Sequence, residues 1–390
     1  MVSSWNIDDV LTLTEETHQR LKLSLPERLR PYYEKVEINQ IRTALAYGQR
    51  GTGKTTFLLY RSKDRPFLYL SADNPLIMAF PLYDVIREVF KRGYEGVVID
   101  EVHFARDWSL HLKALYDDYP DRYIWASGSS SLLLKKGVAD LSRRFVQVRI
   151  PLLSFREFLY LKEGVLEEPV DIFNLKDGNL KLVKKINVLR LFREYVSSGT
   201  RPIFLEGEYC NRVQGIVEKT IFYDVPFYLP SVQSNHLRLM NAVIGHLINS
   251  PIPTVNVSKL CSEWHVSKEK LYQLPSVMEA VELLKVVKRK GDRSVYSKGA
   301  KILINDPSVY HCFNGNIGTV REAFVVFALS ERYEVYASSR EEDYDYLVDG
   351  KRIEVGGKRK EPKSVDFVIS DDLELPVRNR LPMWLLGMVW

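Results

Sequence analysis

The chain has 390 residues, which at ~150 residues per domain predicts two to three domains. It is 45% apolar and 27% charged, enough to bury real cores, which excludes a disordered tail or a fibre. Fifty-five Lys and Arg against fifty Asp and Glu leave a net charge of +5, a mild basicity that permits an anionic partner without requiring one.

Residues 1–40 read as charged helix, broken at Pro26 and Pro31. They contain neither a basic leader nor an apolar core, so no signal peptide is expected. From Arg42 the texture changes. Residues 43–47 (TALAY) read as a strand, 48–56 as a glycine-rich loop opening a helix, and 66–72 (PFLYLSA) as a second strand. Residues 81–93 have a helical period and stop at Gly93, as helices often do. Residues 95–101 (EGVVIDE) are an apolar run ending in two acids; 122–130 are another, ending in small polar residues. Strands alternating with helices predict a parallel sheet with helices on both faces.

The alternation stops near Pro151. Residues 152–245 are mostly helical in pattern, with a turn-rich patch at 195–207. Residues 255–297 run short helix, turn, second helix, then a basic strand-like tail around Lys290, Gly291 and Asp292, the order of a winged helix-turn-helix. From Gly318 a helix precedes strand candidates at 334–338, 344–349, 351–357 and 365–370. No run of about eighteen apolar residues occurs, so no membrane span is expected. Cys210, Cys261 and Cys312 form no C-x-x-C pair, and the histidines show no H-x-x-x-H. Zinc and a disulfide scaffold are therefore not expected, and the expected compartment is a reducing cytoplasm.

Two motifs carry chemistry. Gly48, Gln49, Arg50, Gly51, Thr52, Gly53, Lys54 and Thr55 match G-x-x-x-x-G-K-[ST] at every position, with Thr56 following in the helix. Glycines let the backbone fold tightly enough to aim several amides at one phosphate, and the helix beginning at Lys54 adds its positive end. Lys54 is expected on the outer phosphates and Thr55 on Mg²⁺. Val97, Val98 and Ile99 lead to Asp100 and Glu101 at the end of a strand, where α/β sheets bind ligands. Asp100 is expected to hold Mg²⁺ through water and Glu101 to polarise the attacking water.

Around these motifs the chain resembles a prokaryotic and archaeal group of AAA+-type P-loop ATPases. The acids are followed by a segment ending in tryptophan (His103 to Trp108), a strand ending in Ser127, Gly128, Ser129 and Ser130, an L-x-G-R-like element (Leu141, Ser142, Arg143, Arg144), and a P-L-S-F-x-E-F-like element (Pro151 to Phe158, one leucine longer). The match covers roughly 42–160. It implies that Ser127 or Ser129 senses the terminal phosphate. It also implies that Arg143 or Arg144 is an arginine finger reaching a neighbouring subunit's nucleotide, which makes a homo-oligomer the expected state. The element departs from the family at Ser142 or Arg143, where glycine is usual.

Residues 251–300 carry nine Lys and Arg against five Asp and Glu, and the +4 nearly equals the charge of the whole chain. Ser267 is expected to cap a recognition helix that includes Pro275; Lys285, Lys288, Arg289, Lys290 and Arg293 would line the exit and wing, a DNA-binding pattern. The resemblance further implies a C-terminal module similar to restriction-type nucleases, with Glu322, Asp345 and Glu354 in the order E…D…E-x-K. Gly356 stands where the lysine belongs, and Lys358 is the nearest following one, so cleavage is not the favoured reading. Residues 351–363 are again basic, six Lys and Arg against two acids.

The expected fold is α/β: a P-loop NTPase (ASCE/AAA+-like) core with N-terminal helices (1–155), a helical lid (156–245), a winged helix (246–305) and a small nuclease-like α/β module (306–390). The expected function is Mg²⁺-dependent ATP hydrolysis in a DNA-associated machine. The alternatives are a slow ATPase switch using the winged helix for protein interaction, and an ATP-regulated nuclease.

Overall fold

The structure, a computed structural model, describes residues 6–128, 141, 143–175, 177–228, 232–252, 261–262, 265, 267–292, 299–340, 342–356 and 364–390. Two compact units divide the chain, Met1–Pro151 and Leu152–Trp390. Among the described residues no helix is long and apolar enough to cross a membrane.

The first unit is built on five strands, β1 (Thr43–Tyr47), β2 (Phe67–Ser71), β3 (Gly96–Asp100), β4 (Tyr123–Gly128) and β5 (Val146–Arg149), in the order β2-β3-β4-β1-β5. All four pairings are parallel. The expected parallel core is therefore present, with β4 inserted between the phosphate-loop strand and the acid strand. The strands read as continuous apolar runs because both faces are covered. Leu45, Val97, Ile99, Ile124 and Ala126 face one way, against helices α1 (Ile7–Leu23), α5 (Leu82–Lys91) and α6 (Trp108–Asp118). Ala44, Ala46, Val98 and Trp125 face the other, against α2 (Pro31–Lys35) and α3 (Lys54–Ser62). Between them, residues 75–78 form the short helix α4 (Pro75–Met78). Each large apolar side chain fully buried here contributes ~1.5–3 kcal/mol. Packing is close enough that a Cβ on Gly96 would lie 2.5 Å from the Phe67 ring.

Helix α1 opens with a capping box in which the Asp9 amide donates to Asn6 Oδ1 at 2.9 Å. One residue of α1 also guards the outer edge of β2. The Tyr69 amide donates to His18 Nδ1 at 2.7 Å, so the edge strand's free donor is satisfied inside the protein. Burial, with help from Lys22, lowers the His18 pKa to about 4, which keeps the ring neutral and able to accept.

The second unit begins with α7 (Phe155–Glu163), opened by a Ser154–Glu157 capping box. It continues through α8 (Val188–Ser198), α9 (Tyr209–Lys219), α10 (Val225–Tyr228), α11 (Ser234–Asn249) and α12 (Lys268–Ala280). Strands β6 (Leu284–Val287) and β7 (Lys301–Ile304) pair antiparallel. After α13 (Pro307–Cys312) and α14 (Ile317–Ser330) comes a mixed sheet of β8 (Val335–Ala337), β9 (Tyr346–Val348), β10 (Lys351–Val355), β11 (Phe367–Ser370) and β12 (Arg380–Pro382), closed by α15 (Met383–Leu386). β8, β9 and β10 pair antiparallel; β10, β11 and β12 pair parallel.

The apolar C-terminal tail packs inside this unit. A Cβ on Gly387 would lie 2.5 Å from that of Phe155, and Arg156 donates through its Nε to the Trp390 carbonyl at 3.0 Å. The turn-rich patch is fastened to the start of α13: Thr200 Oγ1 donates to Asp306 Oδ1 at 2.8 Å, and Arg201 pairs with the same carboxylate. Here one expectation is corrected. Cys210 and Cys312, 102 residues apart, form a disulfide. Packing of α9 against α13 brings their Cα atoms to 4.9 Å, inside the bridging range. Sequence spacing carries no trace of that approach.

Candidate active site

The phosphate loop turns where its glycines allow it. Gly48, Gly51 and Gly53 all have positive φ, at 147°, 74° and 90°. At Gly48 a Cβ would lie 2.3 Å from the Ile150 carbonyl oxygen, so any other residue would push the loop off the sheet. The loop is also held from outside. Arg30 donates to the carbonyls of Thr52 (2.7 Å) and Pro151 (2.8 Å), and the Tyr33 hydroxyl donates to the Gly53 carbonyl (2.7 Å). Thr52 Oγ1 donates to the Gln49 carbonyl at 3.0 Å. Lys54, 7% exposed, folds over the loop and donates to the carbonyls of Gly48 and Gln49 at 3.1 and 2.7 Å. Thr55 and Thr56 follow in the first turn of α3, half-buried.

Asp100 is the hub of the site. Its Oδ2 accepts from Thr55 Oγ1 at 2.6 Å and from the Tyr69 hydroxyl at 3.1 Å. Its Oδ1 accepts from Ser127 Oγ and from the Glu101 amide (3.2 Å). Burial and the neighbouring Asp100 raise the Tyr69 pKa, so the hydroxyl remains a donor. Asp100 itself is 8% exposed. All three side-chain partners are neutral, so they orient the carboxylate without cancelling its charge. A hydroxyl and a carboxylate 2.6 Å apart beside the glycine-rich loop are the hard oxygen donors Mg²⁺ takes. The residues present therefore fit the expected metal.

Glu101 follows in the left-handed region, at φ 47°. Its Oε1 lies 3.3 Å from Arg50 and its Oε2 3.4 Å from His103 Nδ1. His103 is almost fully buried, its ring 4.5 Å from that of Phe104.

Of the residues expected from sequence, the structure gathers Thr55, Glu101 and Ser127 around Asp100 and folds Lys54 over the adjoining loop. Ser129 and Ser142 lie outside the described residues. The two arginines part company. Arg144 pairs with both carboxylate oxygens of Asp117 at 3.1 and 3.2 Å, whereas Arg143 is exposed. Four contributors escape sequence reading: Arg30, Tyr33, Tyr69 and His103. Tyr69 had one usable signal, a polar tip in an otherwise apolar strand.

In the second unit, α12 runs through Pro275 and is followed by the β6–β7 pair. Lys290 is exposed at the turn; Lys285, Lys288 and Arg289 are half-buried. Most of the helix expected before α12, Arg293 and Lys358 lie outside the described residues. Glu322 accepts from Lys301 Nζ at 2.9 Å and from the Tyr346 hydroxyl at 3.0 Å. Asp345 accepts from the Val355 amide at 2.7 Å, and Glu354 is fully buried on β10. Among the described residues no group of three or more His, Cys, Asp and Glu is arranged to hold a metal.

Residues 41–159 match the family model described as an AAA domain. Two curated relatives are similar over longer stretches. An uncharacterized protein of Methanocaldococcus jannaschii is 31% identical over 273 residues, 64% of this chain and 57% of that protein. An uncharacterized protein of Haemophilus influenzae is 24% identical over 230 residues, 55% of this chain and 52% of that protein. The chain thus spans about half the length of the curated relatives it matches. Among solved structures, a Walker-type ATPase of Pyrococcus abyssi aligns at 13% identity and TM-score 0.41, over 77% of this chain and 95% of its own. Hsp104 of S. cerevisiae in its ADP complex aligns at 12% and TM-score 0.33, over 68% of this chain and 41% of its own.

Proposed function

We propose that the AAA-type domain binds ATP with Mg²⁺ and hydrolyses it, and that the second unit delivers the resulting change to DNA. The Thr55–Asp100 contact beneath the phosphate loop, with Glu101 next in sequence, is the observation that carries the first half. Mg²⁺ on Thr55 and, through water, Asp100 would neutralise the charge that develops on the phosphates. Loop amides and Lys54 would hold the phosphate chain, Lys54 exchanging its carbonyl partners for phosphate oxygens. Glu101 would accept the proton of the attacking water. Ser127 would report occupancy through Asp100.

Arg143 is the better finger of the two arginines, because Arg144 is committed to Asp117 and Arg143 is exposed. A finger acts on a neighbour's nucleotide, so this role requires a homo-oligomer. DNA association rests on charge: the net +4 of residues 251–300 nearly equals the +5 of the chain. The exposed Lys290 beside the β6–β7 pair suits a wing on the phosphate backbone. Cleavage is disfavoured because Glu322 is already neutralised by Lys301 and Gly356 replaces the lysine of E-x-K.

The test is the steady-state ATPase rate with and without duplex, single-stranded and branched DNA, at low and physiological salt, with Lys54→Ala as the zero. Stimulation by one DNA form that survives physiological salt is expected. A slow rate indifferent to all three would replace the DNA machine by a switch acting on protein partners.

A further inference from the structure

Glu101 is held by a residue of the phosphate loop itself. Arg50 lies between Gly48 and Lys54, and its guanidinium reaches Glu101 Oε1 at 3.3 Å across the gap between loop and acid strand. The pair is largely shielded, the side chains 12% and 18% exposed. Residue 101 adopts a left-handed conformation that a non-glycine residue holds only when its surroundings hold it there. On its other oxygen stands buried His103, whose Nδ1 is 3.4 Å away.

This arrangement opposes the role Glu101 has in hydrolysis. A carboxylate oxygen engaged by a guanidinium is not presented to water. A terminal phosphate carries more charge than a carboxylate and offers the same two-oxygen match to a guanidinium. The loop that carries Arg50 is the loop that wraps the phosphates.

We infer that Arg50 exchanges partners, leaving Glu101 for the terminal phosphate of ATP, so that the base is released only when a nucleoside triphosphate occupies the loop. His103 then remains as the positioning residue that keeps Glu101 at the strand end. This inference rests on the ATPase reading above. ADP lacks the γ-phosphate that would compete for Arg50 and leaves the pair intact, so the exchange discriminates triphosphate from diphosphate.

The test is a double-mutant cycle on nucleotide affinity, measured by calorimetry with Mg²⁺ using ADP and a non-hydrolysable ATP analogue. Glu101→Gln weakens the hold on Arg50 and should tighten analogue binding about tenfold, with ADP unchanged. Arg50→Met should weaken the analogue alone, and Glu101→Gln added to it should bring no gain. Retained ADP affinity shows that each variant is folded; Arg50→Gln takes the place of Arg50→Met if that variant fails this check. An equal gain from Glu101→Gln with and without Arg50 would mean simple repulsion between Glu101 and the phosphate, and overturns the exchange. No gain from Glu101→Gln in the presence of Arg50 overturns it as well. Wild-type protein that binds neither nucleotide overturns the ATPase reading along with it, whereas tight binding of both with an additive cycle removes the exchange alone.

Discussion

Asp100 in the first unit and Glu322 in the second are carboxylates drawn into the protein by tyrosine hydroxyls, and they differ in what else they hold. Asp100 stands at the end of a parallel strand and collects Thr55, Tyr69 and Ser127, three neutral donors. Glu322 stands on a helix beside the mixed sheet and collects Tyr346 and the ammonium of Lys301. The first set fixes a negative charge and leaves it available to a cation. The second set cancels the charge. Two acids that look equally catalytic in a motif are thus separated by the charge of one neighbour.

The contrast is sharpened first at the arginines. In an oligomer, Arg143→Ala should lower the hydrolysis rate by ~10³–10⁵-fold. Arg144→Ala should cost below ~1 kcal/mol of stability and leave the rate within about tenfold, since its partner Asp117 is half exposed. Rates and urea midpoints of the two variants side by side decide the matter; the reverse ranking would move the finger to Arg144.

The second test addresses Lys301. Its removal in Lys301→Met strands Glu322, and the second unit should lose about 3 kcal/mol, with nucleotide affinity unchanged. Lys301→Met/Glu322→Gln should recover most of that loss in urea unfolding. A single variant as stable as the wild type would show that Glu322 is not dependent on its counter-ion and would erase the contrast with Asp100.

The smallest effect concerns the edge of the first sheet. Folded His18 has a pKa of about 4, below the ~6.5 of an unfolded chain, so the unfolded state binds the proton more tightly. The stability this neutral ring confers is complete above pH ~6.5 and is lost as pH falls toward about 4, by at most about 3 kcal/mol. Thermal midpoints across that window should slope in the wild type and flatten in His18→Gln. A slope of equal size in the variant would assign the acid sensitivity elsewhere.

Legibility in the sequence followed the length scale of each feature. Residues 48–55 and 100–101 were readable because loop geometry and the strand end are local properties, written within a few residues. The parallel sheet was readable from strands alternating with helices. Tyr69, Arg30 and Tyr33 were not, because each acts on a backbone or a carboxylate brought near only by the fold: Tyr69 meets Asp100 across 31 residues and Arg30 meets Pro151 across 121. The Cys210–Cys312 bridge is hidden for the same reason. The E…D…E order was visible, but the fact that Lys301 neutralises Glu322 lay outside the motif.

The central claim is that Glu101 is the base of an ATPase built on Asp100, and single-turnover hydrolysis by Glu101→Gln tests it most directly. With Mg²⁺ and excess protein, the variant should bind ATP at least as tightly as the wild type and hydrolyse it ~10²–10⁴-fold more slowly. Hydrolysis at the wild-type rate would remove Glu101 from the mechanism and contradict the account.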